Sequence, residues 1–201
     1  MGAAKHIQET FQKEFMGEKG PGYDYSKLQR DRMIGYRREK KAVVRVEKPT
    51  NIPRARSLGY KAKKGFIVAR VRIRKGGGMH PRPRSGRRPR RMGVNKLTRK
   101  KGIQAIAEER VGRHFKNCEV LNSYFVGEDG MGHYYEVILV DPSAPEIISD
   151  SSINWICEKQ HKGRAERGLT SQGKKGRGLR KKGIGAERAR PSIRAKGRLA
   201  K

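Results

Sequence analysis

The most regular alternation of apolar and polar positions lies in FIVARVRIR, residues 66 to 74. Four apolar residues at odd-numbered positions alternate there with Arg70, Arg72 and Arg74. A period of two residues predicts a β-strand that packs its apolar side chains on one face and directs its arginines from the other. Because a strand rises about 3.3 Å per residue, neighbouring arginines are expected about 7 Å apart on a basic surface.

Three further segments have the composition of strands. They are AVVRV (42 to 46), VLNSYFV (120 to 126) and YYEVILV (134 to 140). The last is apolar almost throughout, which predicts a strand covered on both faces. Between the second and third segments lies GEDGMGH, whose three glycines favour a hairpin loop.

Helical periodicity is clearest in GIQAIAEERVGRHF, residues 102 to 115. Its apolar residues recur every three or four positions and predict one buried face, formed by Ile103, Ile106, Ala107, Val111 and Phe115. Glu108 and Glu109 are interpreted as surface residues of this helix, because adjacent positions do not share a helix face. Two more helical patterns cover residues 3 to 16 and 25 to 40.

These elements predict an α+β protein with a compact body of roughly 100 residues. We divide the chain into an N-terminal helical region (1 to 41), a core (42 to 158) with an inserted basic loop (75 to 101), and a glycine-rich extension (159 to 201). The extension has five large aliphatic residues and no Phe, Trp or Tyr, too few to offset the entropy of ordering it. It is predicted to be disordered in the free protein.

Basic residues far outnumber acidic ones: 50 Lys and Arg against 19 Asp and Glu give a net charge of +31. Residues 118 to 158 nevertheless contain eight carboxylates and no Lys or Arg. The opposite extreme is RKGGGMHPRPRSGRRPRR, residues 74 to 91, with eight cations and no carboxylate. This charge excess predicts a polyanionic partner. The acidic stretch is expected to face away from that partner or to meet a basic surface of another protein.

Catalytic signals in the sequence are weak. GLTSQGKK, residues 168 to 175, begins like a phosphate-binding P-loop, but Lys175 stands where a magnesium-ligating Ser or Thr is required. The segment before it is polar rather than strand-like, so we interpret it as a flexible basic loop. The sequence therefore predicts no catalytic residue, no cofactor and no small-molecule substrate, although one sequence leaves open a site assembled in space.

The remaining candidates for special chemistry have simpler interpretations. Cys118 and Cys157 lack metal-site spacing to any histidine, so we predict no metal site and two reduced thiols in or near the core. Trp155 has apolar neighbours in the acidic segment and is interpreted as a packing anchor. The longest apolar run falls far short of the roughly 18 residues of a membrane span, which predicts no membrane partner.

The basic tracts carry the strongest functional signal. Extended Arg-rich segments with glycine and proline bind phosphates at several points and fold on the polyanion. Few aromatic residues accompany these tracts, which argues against a platform that stacks single-stranded bases. Recognition of folded RNA by its shape and backbone fits the composition better.

Five segments of the chain resemble a known family. They are RARSLGYKAKKGFIVARVRIRKGG (54 to 77), GVNKL (93 to 97), AEERVGRHFKNCEVLNSYFVGEDG (107 to 130), YYEVILVDP (134 to 142) and RGLTSQGKKGRGL (167 to 179). They resemble ribosomal protein fifteen of the archaeal and eukaryotic large subunit, which is unrelated to the bacterial protein of the same number. The similarity extends from about residue 40 to residue 180.

The resemblance implies an antiparallel four-stranded sheet with packed helices, and extensions ordered on ribosomal RNA (rRNA). It also implies a non-enzymatic protein in cytoplasmic ribosomes, whose partners are large-subunit rRNA and neighbouring large-subunit proteins. By resemblance, phosphate contacts are expected from Arg54, Arg56, Lys61, Lys63, Lys64, Lys96, Arg167, Lys174 and Lys175. Basic residues of the same strand, loop and extension complete the predicted interface: Arg70, Arg72, Arg74, Arg82, Arg84, Arg87, Arg88, Arg90, Arg91, Arg99, Lys100, Lys101, Lys162, Arg164, Arg177 and Arg180.

Two alternatives remain open at this point. A DNA-compacting chromatin protein would carry a similar charge, although the chain shows no helix-turn-helix and no heptad pattern for dimerisation. A nucleotide hydrolase would use residues 168 to 175, and it is the less favoured alternative because the motif is incomplete.

Overall fold

A computed structural model of the chain shows an α+β fold and describes residues 2–20, 22–77, 82–83, 85–93, 99, 101–181, 183–195 and 197. The helices are α1 (Ala3–Met16), α2 (Tyr25–Arg38), α3 (Ile52–Ser57), α4 (Ile103–His114), α5 (Pro145–Ile148) and α6 (Ser171–Gly176). The strands are β1 (Lys19–Gly20), β2 (Tyr23–Asp24), β3 (Val43–Val46), β4 (Phe66–Arg74), β5 (Glu119–Glu128) and β6 (Gly132–Val140). Short 3-10 turns occur at Pro89–Arg91, Asn154–Cys157, Lys159–His161 and Glu187–Ala189.

The four longer strands form one antiparallel sheet in the order β3-β4-β6-β5. Strand β4 pairs with β6 along its whole length, from Phe66 opposite Val140 to Arg74 opposite Gly132. The prediction that the apolar run at 134 to 140 is covered on both faces is confirmed, because residues 136 to 140 are fully buried. The predicted four-stranded α+β core is confirmed as well.

The hairpin between β5 and β6 is tighter than the sequence predicts. The strands extend to Glu128 and from Gly132, so only three residues connect them, where a loop over 127 to 133 was expected. The Asp129 carboxylate accepts the backbone N–H groups of Met131 at 2.8 Å and Gly132 at 2.6 Å. This side chain closes the turn and lets the strand pairing continue into the glycine-rich segment.

Helices cover both faces of the sheet. On one face, Ala107 and Val111 of α4 pack against Val71 of β4 and Leu139 of β6. Ile103, Ile106 and Phe115 are partly buried against the same cluster, so the predicted apolar face of this helix is confirmed. On the other face, α2 and α3 place Met33, Tyr36 and Ala55 against Tyr134 and Ile138 of β6.

The second covered face corrects one prediction about β4. Arg70 does not lie on an open basic surface, because α2 covers it: its guanidinium carbon stands 3.8 Å from the centre of the Tyr36 ring, and its Nη2 pairs with Glu39. Arg72 Nη1 donates to the Arg37 carbonyl at 3.2 Å, and only Arg74, at the end of the strand, is exposed. The alternation was correct, but it could not show that a charged helix would pack over the arginines.

A buried carboxylate joins this face to the loop before α3. Glu136 of β6 is fully buried and accepts the Thr50 backbone N–H at 2.9 Å, and the Thr50 and Tyr124 hydroxyls also donate to it. Burial, together with the adjacent Glu136 charge, raises the pKa of Tyr124. These hydrogen bonds compensate the loss of water around Glu136, as a buried carboxylate requires.

The interpretation of Glu108 as a surface residue is wrong. Glu108 is 1% exposed, and its carboxylate accepts the hydroxyls of Ser123 and Thr170, each at 2.5 Å. Burial raises its pKa despite these hydrogen bonds. Its neighbour Glu109 lies nearer the surface and pairs with Arg113 and Lys101. Helical spacing alone places Glu108 on the polar face of α4. It could not show that Thr170, distant in sequence, packs against that face.

The start of the C-terminal extension is ordered on the core. Thr170 is fully buried at Glu108, Arg164 is 8% exposed, and Ala165 packs against the cluster formed with α4. The prediction of a wholly disordered extension is therefore wrong for this first part. Polar contacts hold it in place, and a count of aliphatic residues does not register them.

We expect Glu108→Ala to lower the free energy of unfolding by about 3 kcal/mol, because it leaves two buried hydroxyls and the nearby Arg164 without their acceptor or counter-charge. Glu109→Ala is the matched control and should change stability by less than about 1 kcal/mol. Urea unfolding of both variants measures the difference. Equal effects would show that the buried network contributes no more than the exposed ion pairs.

The same residue predicts a pH dependence. Because the pKa of Glu108 is higher in the folded than in the unfolded state, its contribution to stability is fully present below the unfolded pKa and is lost as pH rises through the folded pKa. Glu108→Gln, which stays neutral, should remove this component from a series of unfolding measurements between about pH 4 and pH 8. An identical pH profile for the variant and the parent protein would contradict the raised pKa.

Candidate RNA-binding surface

Helix α3 presents two exposed cations of the predicted interface. The Asn51 side chain caps this helix by accepting the Arg54 N–H at 3.0 Å, and Pro53 lies in its first turn. The fully buried Ala55 anchors the helix, which leaves Arg54 and Arg56 exposed on either side. Neither makes a salt bridge with the residues that the structure describes.

The inserted basic loop leaves the sheet at the end of β4. Arg99 Nη2 donates to the backbone carbonyls of Arg74 at 3.2 Å and Gly76, and the Lys75 N–H donates to Met131 at 2.9 Å. These bonds fix the base of the loop. Beyond the base, the described arginines are all exposed: Arg82, Arg87, Arg88, Arg90 and Arg91. Arg84, Lys96 and Lys100 of the predicted interface lie outside the described residues.

The segment with the incomplete P-loop signature has a structural explanation. Helix α6 follows a turn rather than a strand, and the Thr170 hydroxyl caps it by accepting the Gly173 N–H at 3.1 Å. A Cβ at Gly173 would lie 2.5 Å from the Cα of Gly168, so the two glycines permit a close backbone approach. The glycine spacing therefore reflects packing and gives no support to nucleotide hydrolysis.

This segment still presents exposed cations. Lys174 and Lys175 project from α6 into solvent, and the exposed Arg180 donates to Ser171 Oγ at 2.7 Å. Arg177 is partly buried and donates to the Gly168 carbonyl at 3.2 Å. Earlier in the extension, Lys162 and Arg167 are also exposed, and Arg167 Nη2 donates to the Lys162 carbonyl at 2.7 Å.

The acidic stretch supplies counter-charges to the basic parts of the chain. Arg37 contacts Asp129 at 3.2 Å, Lys75 contacts Glu128 at 3.3 Å, and Lys61 and Lys63 both contact Asp150, at 2.7 and 2.5 Å. Hydrogen bonds from Lys61 and Lys63 lower the pKa of Asp150. The absence of Lys and Arg within residues 118 to 158 therefore does not leave these carboxylates without cations, and the expectation that the stretch faces away from RNA stays a prediction. Folding brings distant cations to them, and sequence distance does not show this.

Arg164 has an interior position that the sequence did not indicate. Its Nη1 donates to the carbonyls of Val120 at 2.9 Å and Leu121 at 3.2 Å, where β5 is interrupted by an irregularity in its pairing with β6. The guanidinium also lies 4.8 Å from the centre of the Trp155 ring. Burial lowers the pKa of Arg164. Trp155 is partly buried against the cluster around Ile147 and Ile156, which confirms its interpretation as a packing anchor.

Other kinds of site are not supported within the described ranges. Those ranges contain no group of three or more His, Cys, Asp or Glu residues placed to hold a metal ion. Cys118 is buried and Cys157 is half-buried, and both are free thiols. None of the described helices combines the length and apolar character needed to cross a lipid bilayer.

The sequence matches a protein family over nearly its whole length. The family is described as Ribosomal L15, and the match covers residues 2–196. The chain belongs to this family, in its archaeal and eukaryotic form. The large ribosomal subunit protein eL15 of Picrophilus torridus (strain ATCC 700027 / DSM 9790 / JCM 10055 / NBRC 100828 / KAW 2/3) is 55% identical over 176 residues, which cover 88% of this chain and 90% of the relative.

Membership in the ribosomal L15 family confirms several predictions. The chain is a structural, RNA-binding protein of the large ribosomal subunit rather than an enzyme. Three groups of its exposed cations belong to the predicted interface: those on α3, on the basic loop and around α6. These three groups of cations have the chemistry that phosphate recognition requires.

We expect Arg164→Ala to lower the free energy of unfolding by about 2 kcal/mol, since two strand carbonyls lose their donor and Trp155 loses a stacked guanidinium. Trp155 is the only tryptophan, so its fluorescence emission should shift to longer wavelength as water reaches the ring. Arg167→Ala is the control, because Arg167 bonds only exposed backbone carbonyls of its own segment. Equal emission spectra for the two variants would refute the contact by which the Arg164 guanidinium shields Trp155 from water.

Proposed function

We propose that this chain stabilises folded large-subunit rRNA in the cytoplasmic ribosome by phosphate contacts from three separate groups of cations. The groups are Arg54 and Arg56 on α3, the arginines of residues 74 to 91, and Lys162, Arg167, Lys174, Lys175 and Arg180 around α6. One observation carries the proposal: Lys63, Arg70 and Arg164 are engaged by carboxylates or strand carbonyls of the folded body, whereas the described members of these three groups are exposed and form no salt bridge with the described residues. Three groups on one folded body can hold several RNA segments in a fixed relative position.

The interface proposed here and the one predicted from the sequence assign different cations to RNA binding. We assign Arg70 and Arg164 to the interior, because Glu39, Tyr36 and Trp155 surround their guanidinium groups. Arg99 holds the base of the basic loop and Lys101 pairs with Glu109 at 2.7 Å. Lys61 and Lys63 share Asp150, so their contribution to phosphate binding is reduced, while the exposed Lys64 stays in the proposed interface.

The basic loop is proposed to enter spaces within the folded rRNA. The described arginines of the loop beyond its base are exposed, so the core does not depend on them. The glycines and prolines of the loop keep its backbone thin enough to enter narrow spaces. Counterion release from the RNA then drives its association. Extended segments of this kind contact phosphates that the surface of a compact domain does not reach.

Replacing Arg82, Arg84, Arg87, Arg88, Arg90 and Arg91 by Ser should weaken binding to folded rRNA fragments and reduce incorporation into the subunit. For every phosphate that is no longer neutralised, the slope of log affinity against log salt concentration should flatten by about 0.7 to 0.9. The melting temperature of the core should stay nearly unchanged, because the described side chains of this set are exposed. An unaltered salt slope, or a core that melts earlier, would show that the segment belongs to the fold instead.

Two double variants of equal charge provide the matched control. Arg87→Ser with Arg88→Ser should flatten the salt slope and leave stability unchanged. Lys61→Ser with Lys63→Ser should have a smaller effect on the slope and should lower stability, because Asp150 loses both partners. Equal slopes for the two pairs would mean that pairing within the fold does not decide which cations bind RNA.

Parallel titrations with duplex DNA test the chromatin alternative, which no feature of the described structure favours.

We further propose that a neighbouring ribosomal protein binds an apolar groove between α1 and β5. Phe15 and Met16 are 51% and 75% exposed there, beside Phe125, and the Phe15 and Phe125 rings meet edge to face at 6.0 Å. Among the described residues, the lining contains no Lys or Arg in a chain that has 50 of them, so it offers RNA phosphates no cationic partner. An apolar segment of a neighbouring protein is the occupant that this chemistry fits.

A photoreactive benzoylphenylalanine in place of Phe15 should therefore crosslink to protein within purified large subunits. The same residue in place of the fully exposed Ile184, in the basic extension, should crosslink mainly to rRNA. Mass spectrometry of the crosslinked peptide should identify a segment with large apolar side chains. Crosslinks from position 15 to rRNA, or none in assembled subunits, would contradict the proposed protein contact.

A further inference from the structure

A pocket of about 450 Å³ lies where the C-terminal end of α4 faces the start of the C-terminal extension. Gly112, Cys118, Val120 and Ala165 contribute an apolar floor. Arg113, Lys116 and Lys162 contribute cations at its edge, and Glu119 and Glu166 contribute carboxylates. Pockets of roughly 300 to 1,000 Å³ that combine apolar walls with a few polar groups are typical of small-ligand sites.

Gly112 keeps this floor open without being required by packing. Glycine is unfavourable inside a helix, and Gly112 lies within α4. A Cβ at this position would lie 3.5 Å from Val120 Cγ2 and 3.8 Å from Ala165 Cβ, which are ordinary van der Waals distances. Alanine would therefore fit between the helix and its neighbours. The absence of a Cβ at Gly112 leaves the floor of the pocket without a side chain at this position.

The cations at the edge differ in their partners. Glu109 and Glu166 hold the Arg113 guanidinium at 2.5 and 2.8 Å, which fixes its plane beside the pocket. Lys116 and Lys162 are exposed and form no salt bridge with any residue in the described part of the chain. A fixed guanidinium plane is a surface on which bases stack, and free ammonium groups attract phosphates.

Glu119 adds a basis for selecting among nucleotides. Its Oε1 accepts the Gly163 N–H at 2.9 Å, which fixes the carboxylate at the pocket wall. Among the described residues, no donor contacts its Oε2. A carboxylate oxygen in this position accepts a hydrogen bond from an exocyclic amino group, which adenine, cytosine and guanine have and uracil lacks.

We propose that this pocket receives a single unstacked rRNA nucleotide whose base carries an amino group. The base lies on the floor at Gly112 beside Arg113, its amino group donates to Glu119, and Lys116 and Lys162 contact its flanking phosphates. The inference rests on the proposed rRNA-binding function and adds Arg113, Lys116 and Glu119 to the residues that act on RNA. Single-stranded or bulged nucleotides are the RNA elements that present an unstacked base to a protein.

The test compares three preparations of large subunits. The first contains the parent chain, the second the Gly112→Leu variant, and the third the double variant Lys116→Ser with Lys162→Ser. Base-modifying reagents read the accessibility of each rRNA nucleotide. One nucleotide with an amino-bearing base, protected by the parent chain, should become several-fold more reactive in both variants. Two control variants should retain the protection. Gly112→Ala adds only one methyl group to the floor. The double variant Lys41→Ser with Lys159→Ser removes the same charge at exposed positions outside the pocket.

The outcomes separate this proposal from the broader one. If the parent chain protects rRNA but neither pocket variant changes the reactivity of any single nucleotide, the proposed nucleotide site is overturned. The proposed rRNA binding then remains intact. Parent and chain-depleted subunits with identical rRNA reactivity overturn rRNA binding itself. Co-sedimentation confirms that each variant is incorporated, and if Gly112→Leu does not fold, the lysine double variant alone decides. Exposure of a uracil, or a crosslink from the pocket to a protein segment, also overturns the proposal.

Discussion

Repulsion among like charges is the constraint on which the whole structure depends. A chain with a net charge of +31 cannot form a compact body unless the cations near its centre are matched by carboxylates or kept at the periphery. The segment formed by β5, β6 and the following turns supplies that match, because Glu128, Asp129, Glu136 and Asp150 each meet cations from other parts of the chain. The acidic stretch therefore holds the basic protein together.

This arrangement separates stability from function. A cation bound to a carboxylate has a reduced attraction for phosphate, whereas a cation without such a partner adds to the repulsion that opposes folding. Arg70 and Lys63 illustrate the first condition, and Arg88 and Lys174 illustrate the second. The unpaired cations lie on segments that add little to the apolar core. Under the proposed function, contact with RNA phosphates relieves their repulsion.

Buried polar contacts extend the core into a segment whose composition predicts disorder. Glu108 binds a threonine of the extension, and Arg164 of the extension binds carbonyls of β5. Both groups are removed from water, so each is stable only while its partners are in place. The extension and the sheet consequently depend on one another. Val120, whose carbonyl accepts from Arg164, also lines the pocket where we place the unstacked nucleotide.

The sequence by itself determined the elements and the class of function. Apolar periodicity located β4, α1 and α4 to within one residue at either end. The spacing of apolar residues along the chain shows directly which side chains share a face of a strand or helix. The charge excess and the motifs at 54 to 77 and 107 to 130 identified an RNA-binding ribosomal protein. Only the tertiary structure decided which charges are free. Whether Arg70, Glu108 or Arg164 faces solvent depends on Tyr36, Thr170 and Trp155, which lie far from some of them in sequence and meet them through packing. A local pattern records the polarity of a side chain but not the partner that folding brings to it.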